Sequence, residues 1–168
     1  MQLGRAKMYS MEWRSPTSDP GDPDLAALFS DLVRLETELW DLVERRLRRE
    51  HDLALSWFEP MQVIDRTPDC RVIDIAEALS ITVGGTSKLV DRIENAGWCE
   101  RSANPDDGRS STIRLTGPGR QLLAAAQRTL TDEVALRLAD PLSTGELQRF
   151  AATVHSLHTR IREQHRDA

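Results

Sequence analysis

Apolar residues recur at steps of three and four along most of this chain, which is the spacing of amphipathic α-helices. The first such stripe, from residue 24 to residue 50, follows a segment without periodicity and predicts one long helix. Two further stripes follow Thr116 and Ser143 and predict long helices near the carboxyl end, with Pro141 as the break between them. Shorter helices are predicted at 56–65, 74–80 and 83–96.

A different pattern interrupts the helices between residues 98 and 115, where two short segments flank a polar loop. Such a loop between strand-like segments is typical of a β-hairpin, and Arg71-Val-Ile73 is a candidate short strand that pairs with it. Two short helices, a turn and a charged hairpin, in this order, indicate a winged helix-turn-helix that enters adjacent grooves of DNA. We therefore expect a mainly α fold with a small β-hairpin wing, in which amino- and carboxyl-terminal dimerisation helices flank the DNA-binding module.

Capping residues indicate where the helices begin and end. Polar residues with a free side-chain oxygen satisfy the first backbone amides of a helix, and a glutamate three residues later completes a capping box. Gly97 is predicted to end the helix that begins near residue 83. The predicted N-caps are Ser56, Asp74, Thr82, Thr116 and Ser143.

The flanking helices carry more apolar surface than the small module between them can cover. A homodimer with interlocked flanking helices would cover it, and would place two recognition helices about 34–36 Å apart, as a palindromic operator requires. We expect a flexible tail at residues 1–22 and one domain at residues 23–168. Within the domain, 24–50 and 116–165 are predicted dimerisation helices, and 55–115 is the predicted winged-helix module.

Composition changes this picture little. The 168 residues are 39% hydrophobic and 29% charged, which is ordinary for a globular chain. No apolar run approaches the roughly 20 residues of a membrane helix, and no signal-peptide core is visible, so we expect no membrane partner and a cytoplasmic location. The net charge of −5 argues mildly against nucleic acid, but residues 70–120 carry seven basic and seven acidic residues. A neutral segment can still present a basic face.

Catalytic and metal chemistry is not indicated. Cys70 and Cys99 form no Cys-x-x-Cys pair, and the four histidines do not cluster with them at zinc spacing, so we expect no metal and no cofactor. Gly84-Gly85 lacks the following Lys-Ser/Thr of a phosphate loop, and no nucleophile-elbow motif occurs. We predict no catalytic residues and no enzyme activity. A redox-sensing role for either thiol stays an alternative.

The central module resembles the MarR family of bacterial transcriptional regulators. The resemblance rests on Leu89-Val-Asp-Arg-Ile-Glu-Asn-Ala-Gly97, then Glu100-Arg101, then Asp106-Asp-Gly-Arg-Ser-Ser-Thr-Ile-Arg-Leu-Thr-Gly-Pro-Gly119. The family pattern is L-V-D-R-L-E-x-x-G followed by a wing D-x-R-S-x-x-I-x-L-T-x-x-G. The resemblance covers roughly residues 24 to 163 and implies a homodimer that binds palindromic operators on double-stranded DNA, often as a repressor. In many members a small phenolic or other aromatic molecule weakens DNA binding, and some members sense oxidants through cysteine.

The DNA contacts that we expect lie on the second short helix and on the wing. Arg109 is predicted to enter the minor groove, and Asp107 to orient either Arg109 or Arg101 through a bidentate bond. Two glycines weaken the recognition helix by about 1 kcal/mol each relative to alanine, but they let its backbone approach DNA closely. The predicted DNA-binding residues are Thr82, Gly84, Gly85, Thr86, Ser87, Lys88, Arg92, Arg101, Asp107, Arg109 and Ser110.

A ligand pocket would draw on large aromatic side chains. The candidates are Trp40, His51 and Trp57, although core packing is the simpler interpretation of each. An alternative function is a dimeric protein-interaction module with a degenerate winged helix. The net negative charge and the paired glycines favour it weakly, whereas the wing arginine argues against it.

Overall fold

The computed structural model describes residues 23–104 and 107–166. The chain divides into two compact units, one that ends at Asp41 and one that begins at Leu42. The boundary falls inside the first helix, so that helix contributes to both units.

The described residues form six α-helices and one antiparallel hairpin, which confirms the predicted fold class. The hairpin follows the fourth helix, and a π-helical turn at Ala135–Ala139 extends the fifth. The helices are α1 (Leu25–His51), α2 (Leu55–Arg66), α3 (Val72–Leu79), α4 (Val83–Asn95), α5 (Gly117–Val134) and α6 (Thr144–Arg166), and the strands are β1 (Cys99–Asn104) and β2 (Asp107–Leu115).

Three of the predicted N-caps are confirmed. The hydroxyl of Thr82 accepts a hydrogen bond from the amide of Gly85 at 3.2 Å, and the hydroxyl of Thr116 accepts one from Gly119 at 3.1 Å. Ser143 and Glu146 bond reciprocally, because the Glu146 carboxylate accepts from the Ser143 amide at 2.9 Å. These side chains therefore set the first turns of α4, α5 and α6.

Two predicted caps are wrong because both helices begin before the expected cap residue. Helix α2 begins at Leu55, one residue before the cap expected at Ser56, and the Leu55 amide donates to the carboxylate of Glu44. Asp74 lies inside the first turn of α3 and accepts from the Arg71 amide at 2.7 Å. In each case the helix starts earlier than local sequence indicates.

The short strand expected at residues 71–73 is also wrong, since Val72 already begins α3. The contact with the hairpin occurs one residue earlier, where the amide of Ile113 donates to the carbonyl of Cys70 at 2.7 Å. This single bond ties the start of α3 to β2 without adding a strand to the sheet.

The core of the second unit lies where α2, α3, α4 and the hairpin meet. It is filled by side chains from each of these elements, together with Leu123 and Ala126 of α5. Full burial of aliphatic or aromatic side chains of this size stabilises a fold by about 1.5–3 kcal/mol each. The largest core residues are Leu47, Leu53, Phe58, Met61, Ile75, Val90 and Ile93.

The start of α5 is pressed against the start of the hairpin. A Cβ atom on Gly119 would lie 2.0 Å from the carbonyl oxygen of Trp98, so only glycine fits there. The Thr116 hydroxyl donates to the carbonyl of Gly97 at 2.7 Å, and Gly97 itself adopts a φ of 80°. The T-x-x-G pattern after the wing therefore anchors the hairpin to the following helix.

Helices α1 and α6 each carry several large apolar side chains that are exposed to solvent. On α1 these are Leu25, Leu28, Phe29, Leu32 and Leu35, and on α6 they are Val154, Leu157 and Ile161. Among the described residues, no helix has the length and apolar content that crossing a membrane requires.

Candidate nucleic-acid interface

Helix α4 turns one face into the core and leaves the opposite face in solvent. Thr86, Val90 and Ile93 are buried at helical spacing. Gly84, Lys88 and Arg92 follow one another at four-residue steps and are exposed. Residues at this spacing share one side of a helix, so the exposed side combines bare backbone with two cations.

Thr86 does not belong to that exposed side, which corrects one predicted DNA contact. Its side chain is fully buried, and its hydroxyl donates to the carbonyl of Thr82 at 2.9 Å. A threonine in a helix commonly bonds to the carbonyl four residues earlier, and here burial fixes it in that arrangement. Thr86 therefore stabilises the first turn of α4 from its buried side.

The two glycines differ in their surroundings. A Cβ atom on Gly84 would meet nothing within 4 Å, whereas one on Gly85 would lie 3.0 Å from the Thr82 hydroxyl. A side chain at Gly85 would therefore press on the hydroxyl that caps the helix. Gly84 is not crowded in this way by any described residue, so a side chain there would point toward open space.

Ser87 and Thr82 complete the amino-terminal turn. Thr82 is exposed and Ser87 is half-buried. The Thr82 hydroxyl is used as an acceptor by Gly85, which leaves its proton free for a donor bond to a partner. Both residues remain placed where a duplex against α4 would meet them.

Arg101 of β1 is bound to α4, although the sequence predicts it at the DNA. Its guanidinium forms ion pairs with Asp91 at 2.7 Å and with Glu94, and it donates to the carbonyl of Ser87 at 3.4 Å. The Arg101 amide also donates to Glu94 at 2.9 Å. Burial works against the charged form, but the hydrogen bonds that Arg101 donates to the carboxylates of Asp91 and Glu94 outweigh burial and raise the pKa of Arg101.

This ion-pair cluster positions the wing, because it links the first strand of the hairpin to the recognition helix. The sequence pairs Arg101 or Arg109 with Asp107, whereas the structure gives Arg101 two carboxylates from α4. Sequence reasoning misses Asp91 and Glu94. Their three-residue spacing on one helix is a weak signal that two carboxylates converge on a single cation.

The hairpin itself is regular near its base and irregular near its tip. Cys99 pairs with Leu115, Glu100 with Arg114 and Arg101 with Ile113, and the register shifts between Ala103 and Asn104. The backbones of Asp107, Arg109 and Ser110 lie in β2. Their side chains lie outside the described part of the structure, so their predicted roles stay predictions.

Two of the three ligand candidates, Trp57 and His51, have different neighbours within the second unit. The rings of Trp57 and Trp98 make an edge-to-face contact with centroids 5.5 Å apart. The Nε2 atom of His51 lies 2.8 Å from the hydroxyl of Thr129, which in turn donates to Glu50 at 3.1 Å. Trp40 is half-buried in the first unit. Trp57 and Trp98 are both half-buried.

A polar network surrounds the His51 contact. Arg46 binds Glu133 at 3.1 Å and Glu50 at 3.0 Å, and Arg137 binds Glu133 at 3.0 Å. Burial raises the pKa of Glu133, but its bonds to Arg137 and Arg46 outweigh burial and leave that pKa lowered. The network thus joins the end of α1 to α5 within the second unit.

Both cysteines are packed in the core. Cys70 is fully buried and Cys99 is 2% exposed. Burial raises the pKa of each thiol to about 11, with a further contribution from Asp74 at Cys70 and from Glu94 at Cys99. Oxidants react with the exposed thiolate form, so this environment argues against a redox-sensing regulator.

Residues 56–111 of this chain match the family model of the MarR family. The chain is 29% identical over 65 residues to the HTH-type transcriptional regulator YfiV of Bacillus subtilis, which is 39% of this chain and 41% of that protein. It is 25% identical over 75 residues to the multiple antibiotic resistance protein MarR of Escherichia coli, or 45% and 52% of the two chains. The matched regions thus span about half the length of these relatives.

The fold is that of solved regulators. The structure of Streptococcus pneumoniae FabT in complex with DNA superposes with a TM-score of 0.72 at 20% identity, covering 84% of this chain and 99% of that one. At this identity the likeness shows the fold alone. The relative in Bacillus subtilis is a transcriptional regulator of the helix-turn-helix type, and FabT was solved in complex with DNA.

Proposed function

We propose that this protein is a homodimeric transcriptional repressor that binds palindromic operators and releases them when a small aromatic molecule binds. The observation that carries the proposal is the exposed side of α4, where Gly84, Lys88 and Arg92 lie opposite the buried face of the helix. This side stands beside a hairpin whose β2 strand contains the Asp-Gly-Arg-Ser sequence of the family wing.

Lys88 and Arg92 are the cations best placed for the phosphate backbone. Both side chains are exposed, and neither forms an ion pair with another described residue. Arg109 would add a guanidinium from the wing to the minor groove. These three cations in each protomer make about six in a dimer, which predicts a slope of about −5 in log affinity against log salt concentration.

The exposed apolar side chains of α1 and α6 support the dimer. Phe29 is 68% exposed, and Leu157 on α6 is 53% exposed. Lines of large apolar side chains on a helix usually mark a surface that a partner covers. A second copy of this chain is the partner that we propose, because a two-fold dimer matches an operator with two-fold symmetry.

For the aromatic ligand we propose Trp57 as the principal contact. The edge-to-face pair with Trp98 places an indole of α2 beside the residue that precedes β1. A flat ligand stacked there would act on the base of the wing. Trp40 and His51 remain secondary candidates, since the His51 ring already bonds to Thr129.

The test is fluorescence anisotropy with purified protein and the intergenic duplex beside its own gene, across a series of salt concentrations. We expect selective binding by a dimer, with the slope given above. Arg109→Ala and Lys88→Gln should each lower affinity at physiological salt. Each should also make the slope of log affinity against log salt concentration shallower, by about 1 for each phosphate that the variant protomer no longer neutralises. Arg160→Ala on α6 removes the same charge from another helix and is the matched control.

A second readout separates the ligand claim from the DNA claim. Hydroxybenzoates titrated into the protein–duplex complex should lower its anisotropy, and Trp57→Phe should weaken that effect without weakening DNA binding. Weak binding that is equal for unrelated duplexes, with no salt dependence, would reject the regulator and favour a protein-interaction module.

A further inference from the structure

The amino-terminal turn of α4 presents an apolar side chain to solvent where a polar one would be expected. Val83, the first residue of the helix, is 49% exposed. The next two residues, Gly84 and Gly85, have no side chains, and Thr86 is buried. Beyond the exposed hydroxyl of the cap residue Thr82, the turn therefore offers an isopropyl group and bare backbone, and the first polar side chain within the helix that is not buried is Ser87.

This arrangement limits what the turn can recognise. The amino-terminal residues of a recognition helix are those that reach base edges in the major groove. Base edges in that groove carry hydrogen-bonding groups and one apolar group, the C5-methyl of thymine. An exposed valine cannot use the hydrogen-bonding groups, so the methyl is the complementary feature.

We propose that Val83 is a specificity-determining residue that contacts the C5-methyl group of one thymine in each operator half-site. The inference rests on the proposed DNA-binding function and adds the base that the turn selects. Gly84 makes the contact feasible, because a Cβ atom there would project into space that no described residue beyond its chain neighbours fills. Without that atom the backbone of the turn can come close to the base pairs.

Of the charged side chains near Val83, Lys88 is available to DNA and Asp91 is bound within the chain. Lys88 lies one helical turn beyond Gly84 on the same side and carries donors suited to guanine or phosphate. Asp91 is held by Arg101 at 2.7 Å, so its carboxylate is occupied. The turn thus combines one apolar contact at Val83 with one cationic contact at Lys88.

The experiment starts from duplexes that wild-type protein selects from a random-sequence pool. Each selected duplex is remade with deoxyuridine in place of single thymines, which removes the methyl group and leaves the base pair intact. At one position in each half-site this change should lower wild-type affinity about fourfold, the effect of one methyl-sized apolar contact. Val83→Ala removes the contact from both half-sites, so it should lower affinity for the thymine duplex by about two such factors, roughly sixteenfold, and should not distinguish deoxyuridine from thymine.

A matched variant controls for loss of apolar surface in general. Ile73→Ala shortens an apolar side chain of α3 that is 38% exposed, and it should retain the full response to deoxyuridine. Thermal unfolding verifies that both variants fold.

The outcomes separate the two proposals. If no duplex is selected, the DNA-binding function fails and this inference fails with it. If duplexes bind tightly but deoxyuridine has no effect at any position, the function stands and the role of Val83 is rejected. A decrease in affinity in Val83→Ala that is the same on both duplexes would also reject it, because the valine would then contact the sugar-phosphate backbone.

Discussion

Replacing Gly119 by alanine tests whether the T-x-x-G sequence after the wing fixes α5 against the hairpin. The new Cβ atom would lie 2.0 Å from the carbonyl oxygen of Trp98 and 2.8 Å from its carbonyl carbon. Both are backbone atoms, so no side chain can rotate away. The Trp98 carbonyl also accepts from the Thr116 amide at 3.1 Å, which holds it in place.

The expected destabilisation can be worked out from two contributions. Overpacking a filled site costs about 1–3 kcal/mol, and a weakened backbone hydrogen bond costs about 1 kcal/mol. We therefore expect Gly119→Ala to lower the free energy of unfolding by about 3 kcal/mol. For a chain of this length, 1 kcal/mol corresponds to about 2–4 °C in Tm, so the midpoint should fall by roughly 6–12 °C.

Gly117→Ala is the matched control, since it lies in the same turn and its Cβ would meet nothing within 4 Å. Alanine there should be neutral or stabilise the helix by up to about 1 kcal/mol. Urea and thermal unfolding, followed by circular dichroism at one fixed protein concentration, measure both variants. Similar stability of the two variants, within about 0.5 kcal/mol, would refute the packing argument.

Three further predictions concern the interface and the polar network. Arg101→Gln should lower DNA affinity about tenfold, because it leaves carboxylates on α4 without their cation. Adding Asp91→Asn to this variant should restore much of the affinity measured by fluorescence anisotropy. If the second substitution restores nothing, Arg101 contacts phosphate directly. Gly84→Ala should raise Tm yet weaken DNA binding, whereas Gly85→Ala should lower Tm by pressing on the helix cap; unchanged affinity in Gly84→Ala would contradict close approach of DNA. The pKa of Glu133 is lowered in the folded state, so its contribution to stability is present above the unfolded pKa and is lost as pH falls below about 4.5. Glu133→Gln should therefore make stability against urea depend less on pH between pH 5 and 3. Parallel plots of stability against pH for the variant and the wild type would refute this.

The sequence correctly predicted the start of a helix where the capping side chain lies within a few residues of the amide that it binds. Thr82, Thr116 and Ser143 cap their helices as expected, because an N-cap side chain bonds an amide two or three residues away. The cap expected at Ser56 failed because Glu44, eleven residues before Leu55, supplies the acceptor. A bond over that distance depends on how α1 and α2 pack, which local pattern does not encode.

The candidate site shows the same division between local and long-range information. The exposed positions of Lys88 and Arg92 follow from helical periodicity, since both lie opposite the apolar face. The prediction for Thr86 is wrong because a threonine at the edge of the apolar face of α4 can be buried or exposed. Here its hydroxyl donates to the Thr82 carbonyl, which allows the side chain to be buried. The ion pairs of Arg101 could not be predicted in the same way, because its two carboxylates come from another element.

The distribution of ion pairs explains how an acidic chain can offer a basic face. Within the segment of balanced charge, Arg101 binds Asp91 and Glu94, and Arg114 binds Glu100 at 2.9 Å. Asp74 accepts from the start of α3 and lies 3.5 Å from Arg71. These carboxylates are compensated within the chain.

Lys88 and Arg92 are left on the outer side of α4 without an ion pair to any described residue. The potential near a phosphate depends on charges within about 8–10 Å at physiological salt, so the compensated carboxylates matter less than the net charge of −5 suggests. Arg101 therefore contributes to DNA binding indirectly, by neutralising the acids on the recognition helix. If this interpretation is correct, the net charge of the chain and its affinity for DNA vary independently. Substitutions on α6 that change the net charge should then leave the affinity for DNA unchanged.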